Sequence, residues 1–408
     1  MLKRTLLATV LATGLATITA GPADAACAIK NTLPIKTLSA SFDAWKAVSA
    51  AWAECGNVQS ELDMNFRNKQ PTAFAANPAL YQIGGVANNT VVPLLNAGTV
   101  RPLDELIAKH GQFLTPNQLI KVDGKTMAVA MMVNAQHFMV REDVLKELGI
   151  ATPTTWDEVL DAAAKIKASG KMQYPLGATM KPGFDISQEF LNLFLGFGGV
   201  PTKADNTPAL NGEAGMKTLA MMKRITEFLD PEYLTSDSTF VARQFQQGKI
   251  AMANLWASRA GAVTSAAESP NGDKIAMVAA PAAVKGGKPA TTLWWDGFVI
   301  AKNIPDAEAE MAFRVAMEGI DEEMVKANNS AAVWLIKGYA PGRAAQGAIA
   351  SAMGGAPNYP STSAMGIVSA VLAENVADFV SGKKTAEQTL QAIEASYLTR
   401  AKEQGLVK

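Results

Sequence analysis

The chain of 408 residues carries 37 Lys or Arg against 37 Asp or Glu, and 49% of it is apolar but only 18% charged. That balance lacks the basic excess or basic stripe of a nucleic-acid binder, so no nucleic-acid partner is expected. The length exceeds what one hydrophobic core serves, and two domains are the default expectation.

Residues 1–25 read as an export signal: Lys3 and Arg4 precede an uncharged stretch from Thr5 to Ala20, and Ala23-Asp24-Ala25 supplies the small residues of a signal-peptidase site. The stretch is short of the roughly 20 apolar residues that span a bilayer. The apolar run Ile275 to Val284 is shorter still and broken by Pro281. A soluble mature protein in the periplasm is expected, and loss of Lys3, Arg4 and Asp24 leaves 35 positive against 36 negative charges. The two cysteines, Cys27 and Cys55, follow the signal, and an oxidising compartment favours pairing them. Two alternatives stay open: a lipid-modified Cys27, against which Asp24 stands where an apolar residue is expected, and a free buried pair.

Ile35 to Ala40 reads as a strand, and Trp45, Val48 and Trp52 then share one helical face. Both tryptophans read as core, Trp45 less so because it lies near a strand end where α/β ligand sites form. A second strand, Val58 to Asn65, precedes Ile83-Gly84-Gly85-Val86-Ala87-Asn88-Asn89, a strand end followed by a loop with exposed amides. A helix beginning at Pro102 is capped by Gly111, and Val122-Asp123-Gly124-Lys125-Thr126 reads as a tight hairpin. The apolar stretch Met127 to Val140, interrupted by Asn134, Gln136 and His137, suits a strand passing from one domain to another. Thr155 and Glu158 have capping-box spacing before an amphipathic stripe that includes Trp156. Further helical stripes lie at Phe190 to Leu195 and Met216 to Phe228. Helices alternating with short β-type segments predict α/β lobes with largely parallel sheets.

Phe245-Gln246-Gln247-Gly248-Lys249-Ile250-Ala251-Met252-Ala253-Asn254-Leu255-Trp256 is a helix end, a glycine stop and a strand with an aromatic residue at its carboxyl end. It resembles the signature of the family 1 extracellular solute-binding proteins, the maltose-binding-protein-like components of ABC sugar importers. Asp123-Gly124-Lys125-Thr126-Met127-Ala128-Val129, Pro153-Thr154-Thr155-Trp156-Asp157-Glu158 and Ser381-Gly382-Lys383-Lys384-Thr385-Ala386-Glu387-Gln388-Thr389-Leu390 follow that family's order. The resemblance implies an α/β fold of two lobes joined by several crossovers, with ligand in the cleft and closure by hinge motion. It places crossovers near Val133, Leu293 and Tyr339, giving a lobe of residues 28–133 plus 294–338 and another of 134–293 plus 339–408. It implies binding without chemistry, no cofactor, a monomer, and delivery to an inner-membrane ABC permease. Met131-Met132-Val133-Asn134 lacks the aromatic cluster expected beside a long oligosaccharide. The expected ligand is therefore a small neutral sugar or polyol.

The candidate site centres on Thr292-Leu293-Trp294-Trp295-Asp296-Gly297-Phe298. A sugar ring has an apolar C–H face and a hydroxyl edge, which a flat aromatic body and a rim of carboxylates or amides would match. Adjacent strand residues face opposite ways, so one of Trp294 and Trp295 faces the cleft, and Trp295 is the expected one. Asp296 would accept hydroxyl protons, and Trp256 would add a second aromatic surface. Asn134, Gln136, Arg259, Asp43 and Arg343, with Tyr339 beside it, complete the candidates. Asp43 equally suits a helix cap, Arg259 a surface position, and the amides ordinary hydrogen bonding between lobes.

Two rival classes remain. A carbohydrate-active hydrolase needs only a spatial pair of carboxylates, which sequence does not reveal, although no nucleophile elbow or phosphate loop is present and two histidines make a poor metal site. A sensory binding protein docking on a receptor would use the same fold.

Overall fold

The computed structural model describes residues 27–408, so the export-signal reading falls outside the described residues. Among the described residues eleven strands form two sheets: β1 (Ile35–Ser39), β2 (Val58–Leu62), β3 (Ile83–Ala87), β4 (Leu119–Val122), β5 (Lys125–Asn134), β6 (Gln136–Arg141), β7 (Leu176–Gly177), β8 (Met252–Trp256), β9 (Ile275–Val278), β10 (Trp294–Ile300) and β11 (Val333–Trp334). One sheet has the order β11-β5-β10-β3-β1-β2, with β4 also on β5; the other has the order β7-β8-β6-β9.

Ala135 alone separates β5 in the first sheet from β6 in the second. The chain returns to the first sheet at Trp294 and leaves again after Trp334. The segment beyond runs through the helix Gln346–Met353, against β6 and β9, to the helices Ser363–Val380 and Ala386–Glu403. These pack with Phe184–Gly196 and Glu213–Thr226 over the second sheet. Among the described residues, Ser363–Val380 is long and apolar enough to cross a membrane by length and composition alone. Its Ile367, Val368, Val371, Leu372 and Val376 are instead buried in the second core.

Local chemistry accounts for the elements. The helix Asp43–Glu54 buries Trp45, Val48 and Trp52 on one stripe in the first core. Thr155 accepts from the Glu158 amide at 3.3 Å and Glu158 accepts from the Thr155 amide at 3.2 Å, closing the capping box that starts Trp156–Ala168. Asp123 and Gly124 turn the β4–β5 hairpin with φ of 49° and 78°, the left-handed pair that a two-residue turn needs.

The expectation of largely parallel sheets is overturned. Among the strands of the described residues only β1–β2, β1–β3 and β7–β8 pair in parallel; β10 runs antiparallel to both β3 and β5, and β6 to both β8 and β9. Alternation of helix and strand encodes the parallel units within a lobe. It carries no information about strands that arrive from the other lobe, as β10 does, or from a hairpin, as β5 does.

Cys27 and Cys55 form a disulfide, with Cα atoms 5.0 Å apart, that ties the start of the described chain to the end of Asp43–Glu54. A bonded Cys27 is neither a free thiol nor a lipid-modified N-terminus.

Candidate functional site

A cleft of about 510 Å³ opens between the two sheets. On one side it is bounded by residues beyond the carboxyl ends of β1, β2 and β3, chiefly Phe42, Phe66, Arg67 and Asn89, with Asp296 of β10. The opposite side presents Lys181 to Asp185, Asp237 and Ser238, Trp256 at the end of β8 and Arg259 beyond it. Strand ends in α/β sheets leave such crevices because the following loops diverge.

Four aromatic rings meet here. Phe184 lies nearly parallel to Trp256, with centroids 6.2 Å apart, and both present edges or faces at right angles to Trp294, at 5.8 and 5.7 Å. Tyr359 packs behind Trp294 at 4.0 Å. Phe184 reaches this position because Pro182-Gly183 turns the chain immediately before its helix, Gly183 having a φ of 110° that favours glycine.

The ionisable groups are unusually sequestered. Burial raises the Asp296 carboxyl to about 7, against the pull of the Arg67 guanidinium. Burial, reinforced by Asp237, raises Asp185 to about 6, while Arg67, Lys181 and Arg259 offset part of the shift. The Arg67 guanidinium stacks 4.1 Å over the Phe184 ring, and its buried Nε has no hydrogen-bond partner among the described residues. Arg259 donates to Ser238 Oγ at 3.2 and 3.0 Å, and Lys181 pairs with Asp237 at 3.4 Å. The cleft thus offers flat apolar surface, charged acceptors and charged donors at once. Among the described residues no cluster of His, Cys, Asp and Glu is placed to hold a metal.

Of the residues read from sequence, Trp256, Trp294, Asp296, Arg259 and Asn134 line this cleft. Trp295 does not. Period-two alternation puts Trp294 and Asp296 on one face of β10, so Trp295 turns away, into a second cavity of about 530 Å³ behind Trp294. Among the described residues no Asp, Glu, Lys, Arg or His lines that cavity, whose walls include Ile120, Val133, Leu335 and Ile349.

Gln136 also misses the cleft: it is fully buried, donating to Glu189 Oε1 at 3.1 Å and accepting from Asn192 Nδ2 at 2.6 Å. Asn134 and Gln136 share a chain alternation only in sequence, because Ala135 divides them between two strands. Asp43 begins its helix, pairs with Lys46 at 2.9 Å and does not line the cleft, where Phe42 does. Arg343 donates to the Ile275 carbonyl, and Tyr339 packs against the first core and the small inter-sheet cluster of Ala135 and Val333. Neither lines the cleft.

Sequence reading missed Arg67, Phe184, Asp185 and Tyr359. Pro182-Gly183 before an aromatic was a usable signal for Phe184. Arg67 gave none, since Asn65-Phe66-Arg67-Asn68-Lys69 looks like an ordinary solvated first turn.

The model of the bacterial extracellular solute-binding protein family matches residues 57–318. Among solved structures, a solute-binding protein of Agrobacterium radiobacter K84 in complex with ribitol superposes with a TM-score of 0.81 at 18% identity, covering 91% of this chain and 100% of that one. Maltose-bound MalE3 of T. maritima gives 0.77 at 19% identity, covering 90% of this chain and all of its own, 100%. A mannitol-bound protein of Agrobacterium vitis S4 gives 0.75 at 19%, with coverages of 91% and 99%. These likenesses show the two-lobed fold. A curated relative, a probable amino-acid ABC transporter periplasmic-binding protein of Sinorhizobium fredii, is 24% identical over 172 residues, which is 41% of this chain and 39% of that protein. The match therefore spans about two fifths of that relative's length.

Proposed function

The chain belongs to the bacterial extracellular solute-binding protein family, and from that premise we propose that it captures a small neutral sugar or polyol between its lobes and delivers it to an inner-membrane ABC permease. The lobes in this reading comprise residues 28–133 plus 294–338 and residues 134–293 plus 339–408, a division supported by which sheet each strand joins. The protein would act in the periplasm, as a monomer and without chemistry on its ligand.

One observation carries the reading: a flat box of Phe184, Trp256 and Trp294 sits within the same cleft as Asp185, Asp296 and Arg67. The rings match the C–H face of a sugar or the carbon backbone of a polyol, while carboxylates and guanidinium groups take hydroxyls at its rim. Ribitol, maltose and D-mannitol in the structural relatives support this class.

The test is a melting-temperature panel of pentitols, hexitols, monosaccharides, disaccharides, acidic sugars and amino acids on ligand-stripped protein. A true ligand at a hundredfold excess over its dissociation constant stabilises by roughly 2.7 kcal/mol. A selective rise with one neutral sugar or polyol, lost in Trp294→Ala and Trp256→Ala, is expected. No rise with any neutral compound would sink the reading.

A second reading rests on Arg67, whose stacked guanidinium has a buried nitrogen without a partner among the described residues. A carboxylate-bearing solute, such as an acidic sugar or an amino acid, would supply one, and the same panel separates the two.

A further inference from the structure

Glu189 lies in the helix Phe184–Gly196, buried and outside the cleft lining, with its carboxyl raised to about 7, mainly by burial. A buried carboxyl at this cost asks for a reason. Its Oε1 accepts from the Thr179 amide at 3.2 Å and from Gln136 Nε2 at 3.1 Å. Gln136 Oε1 accepts from Asn192 Nδ2 at 2.6 Å, Asn192 Oδ1 accepts from Thr292 Oγ1 at 3.0 Å, and Thr292 Oγ1 accepts from Trp294 Nε1 at 2.9 Å. The chain ends at a cleft-lining indole.

Its polarity is set at both ends. An indole N–H only donates, so Thr292 must accept from it and pass its own proton to Asn192 Oδ1. That fixes the Asn192 amide, whose nitrogen then faces Gln136 Oε1, and the Gln136 amide in turn, whose nitrogen faces Glu189 Oε1, an oxygen that must accept because the Thr179 backbone N–H also donates to it. Every member thus has one orientation, and a low-dielectric interior strengthens such an aligned chain. Glu189 and Asn192 also share a helix with Phe184, the ring packed against Trp294. The same helix therefore holds the indole by its edge and by its N–H.

We propose that Glu189 is a positioning residue that fixes the orientation of Trp294 through Gln136, Asn192 and Thr292, and so sets the shape of the aromatic wall against which a solute binds. The functional half of this statement rests on the sugar or polyol reading above; the positioning half does not.

The experiment uses the full mature chain labelled with 5-fluorotryptophan, with the Trp294 resonance assigned by Trp294→Phe, and needs no solute. Thr292→Val removes the indole's acceptor and defines the resonance position of a released ring. Glu189→Leu should displace the Trp294 resonance in the same direction, leaving buried Trp52 in the other core in place. Glu189→Gln, which keeps an acceptor oxygen, should restore it. Combining Glu189→Leu with Thr292→Val should add nothing, because both cut one chain. Where Glu189→Leu does not fold, Gln136→Leu, which cuts the chain between Glu189 and Asn192, replaces it: the Trp294 resonance should move as in Thr292→Val, and a resonance that stays put overturns the relay.

A Trp294 resonance that stays put in Glu189→Leu, or that moves equally in Glu189→Gln, overturns the relay even where the panel yields a sugar. A displaced and rescued resonance alongside a silent panel upholds the relay and removes only the sugar reading.

Discussion

Burial holds the Asp296 carboxyl at about 7 against an ordinary value of 3.8, so the cleft carries an acid that is only partly ionised at neutral pH. The native state keeps this proton over a range in which the unfolded chain has released it. The stabilisation is fully present below about 4 and is lost as pH rises to about 7, on the order of a few kcal/mol at most. Glu189 acts in the same direction, while His137, buried and pushed down to about 3, destabilises the fold as pH falls below 6.5. The difference between wild type and Asp296→Asn isolates the one group. Its melting temperature should gain on that of wild type between pH 5 and pH 8, and parallel curves would rule out the buried ionisation. If the anion accepts solute hydroxyls, the same substitution weakens binding most at high pH. Residue roles of this kind were half legible. Asp296 stood out beside paired tryptophans, and the alternation of a strand was sufficient to join it to Trp294 in place of Trp295. Arg67 was invisible because its environment is supplied by Phe184 from the other lobe.

The strand that carries these residues tolerates little change. β10 lies between β3 and β5, and a Cβ at Gly297 would come within 2.7 Å of the Ala130 Cα, on backbone that pairing holds in place. Gly297→Ala should therefore cost about 1–3 kcal/mol or more by overpacking, read as a lower urea midpoint with an unchanged slope. Gly366 offers the contrast: it is exposed in Ser363–Val380 with nothing within 4 Å of the place an alanine methyl would take. Gly366→Ala should stabilise by about 0.5–1 kcal/mol through helix propensity. A loss at Gly366 or no loss at Gly297 would break the argument from local space. Elements whose causes lie within a few residues were readable from sequence, as the Thr155 capping box and the Asp123-Gly124 turn demonstrate. Strand direction was not, since the partners of β10 are contributed by segments remote in sequence.

At the scale of the whole molecule, the two sides of the cleft already touch. Arg67, beyond β2 in the first sheet, stacks on Phe184, which belongs to the second core. Asn96 Nδ2 donates to Ser363 Oγ at 2.9 Å on the exposed surface, joining the helix Val91–Asn96 to Ser363–Val380. Neither Asn96 nor Ser363 lines the cleft, so this contact bears on closure alone. A solute that bridges both lobes can shift the equilibrium only by its differential affinity for the closed state. The apparent dissociation constant is the intrinsic one divided by the closed fraction. Asn96→Ala removes one hydrogen bond worth about 0.5–1.5 kcal/mol. If the open state dominates without solute, every solute should bind about two- to tenfold more weakly by the same factor, with the rank order of solutes unchanged. Small-angle scattering of the unliganded variant should show a larger radius of gyration wherever the closed state is the populated one. A change in rank order would place Asn96 in recognition instead, and unchanged affinity together with unchanged scattering would mean that the Asn96–Ser363 contact does not contribute to closing the cleft.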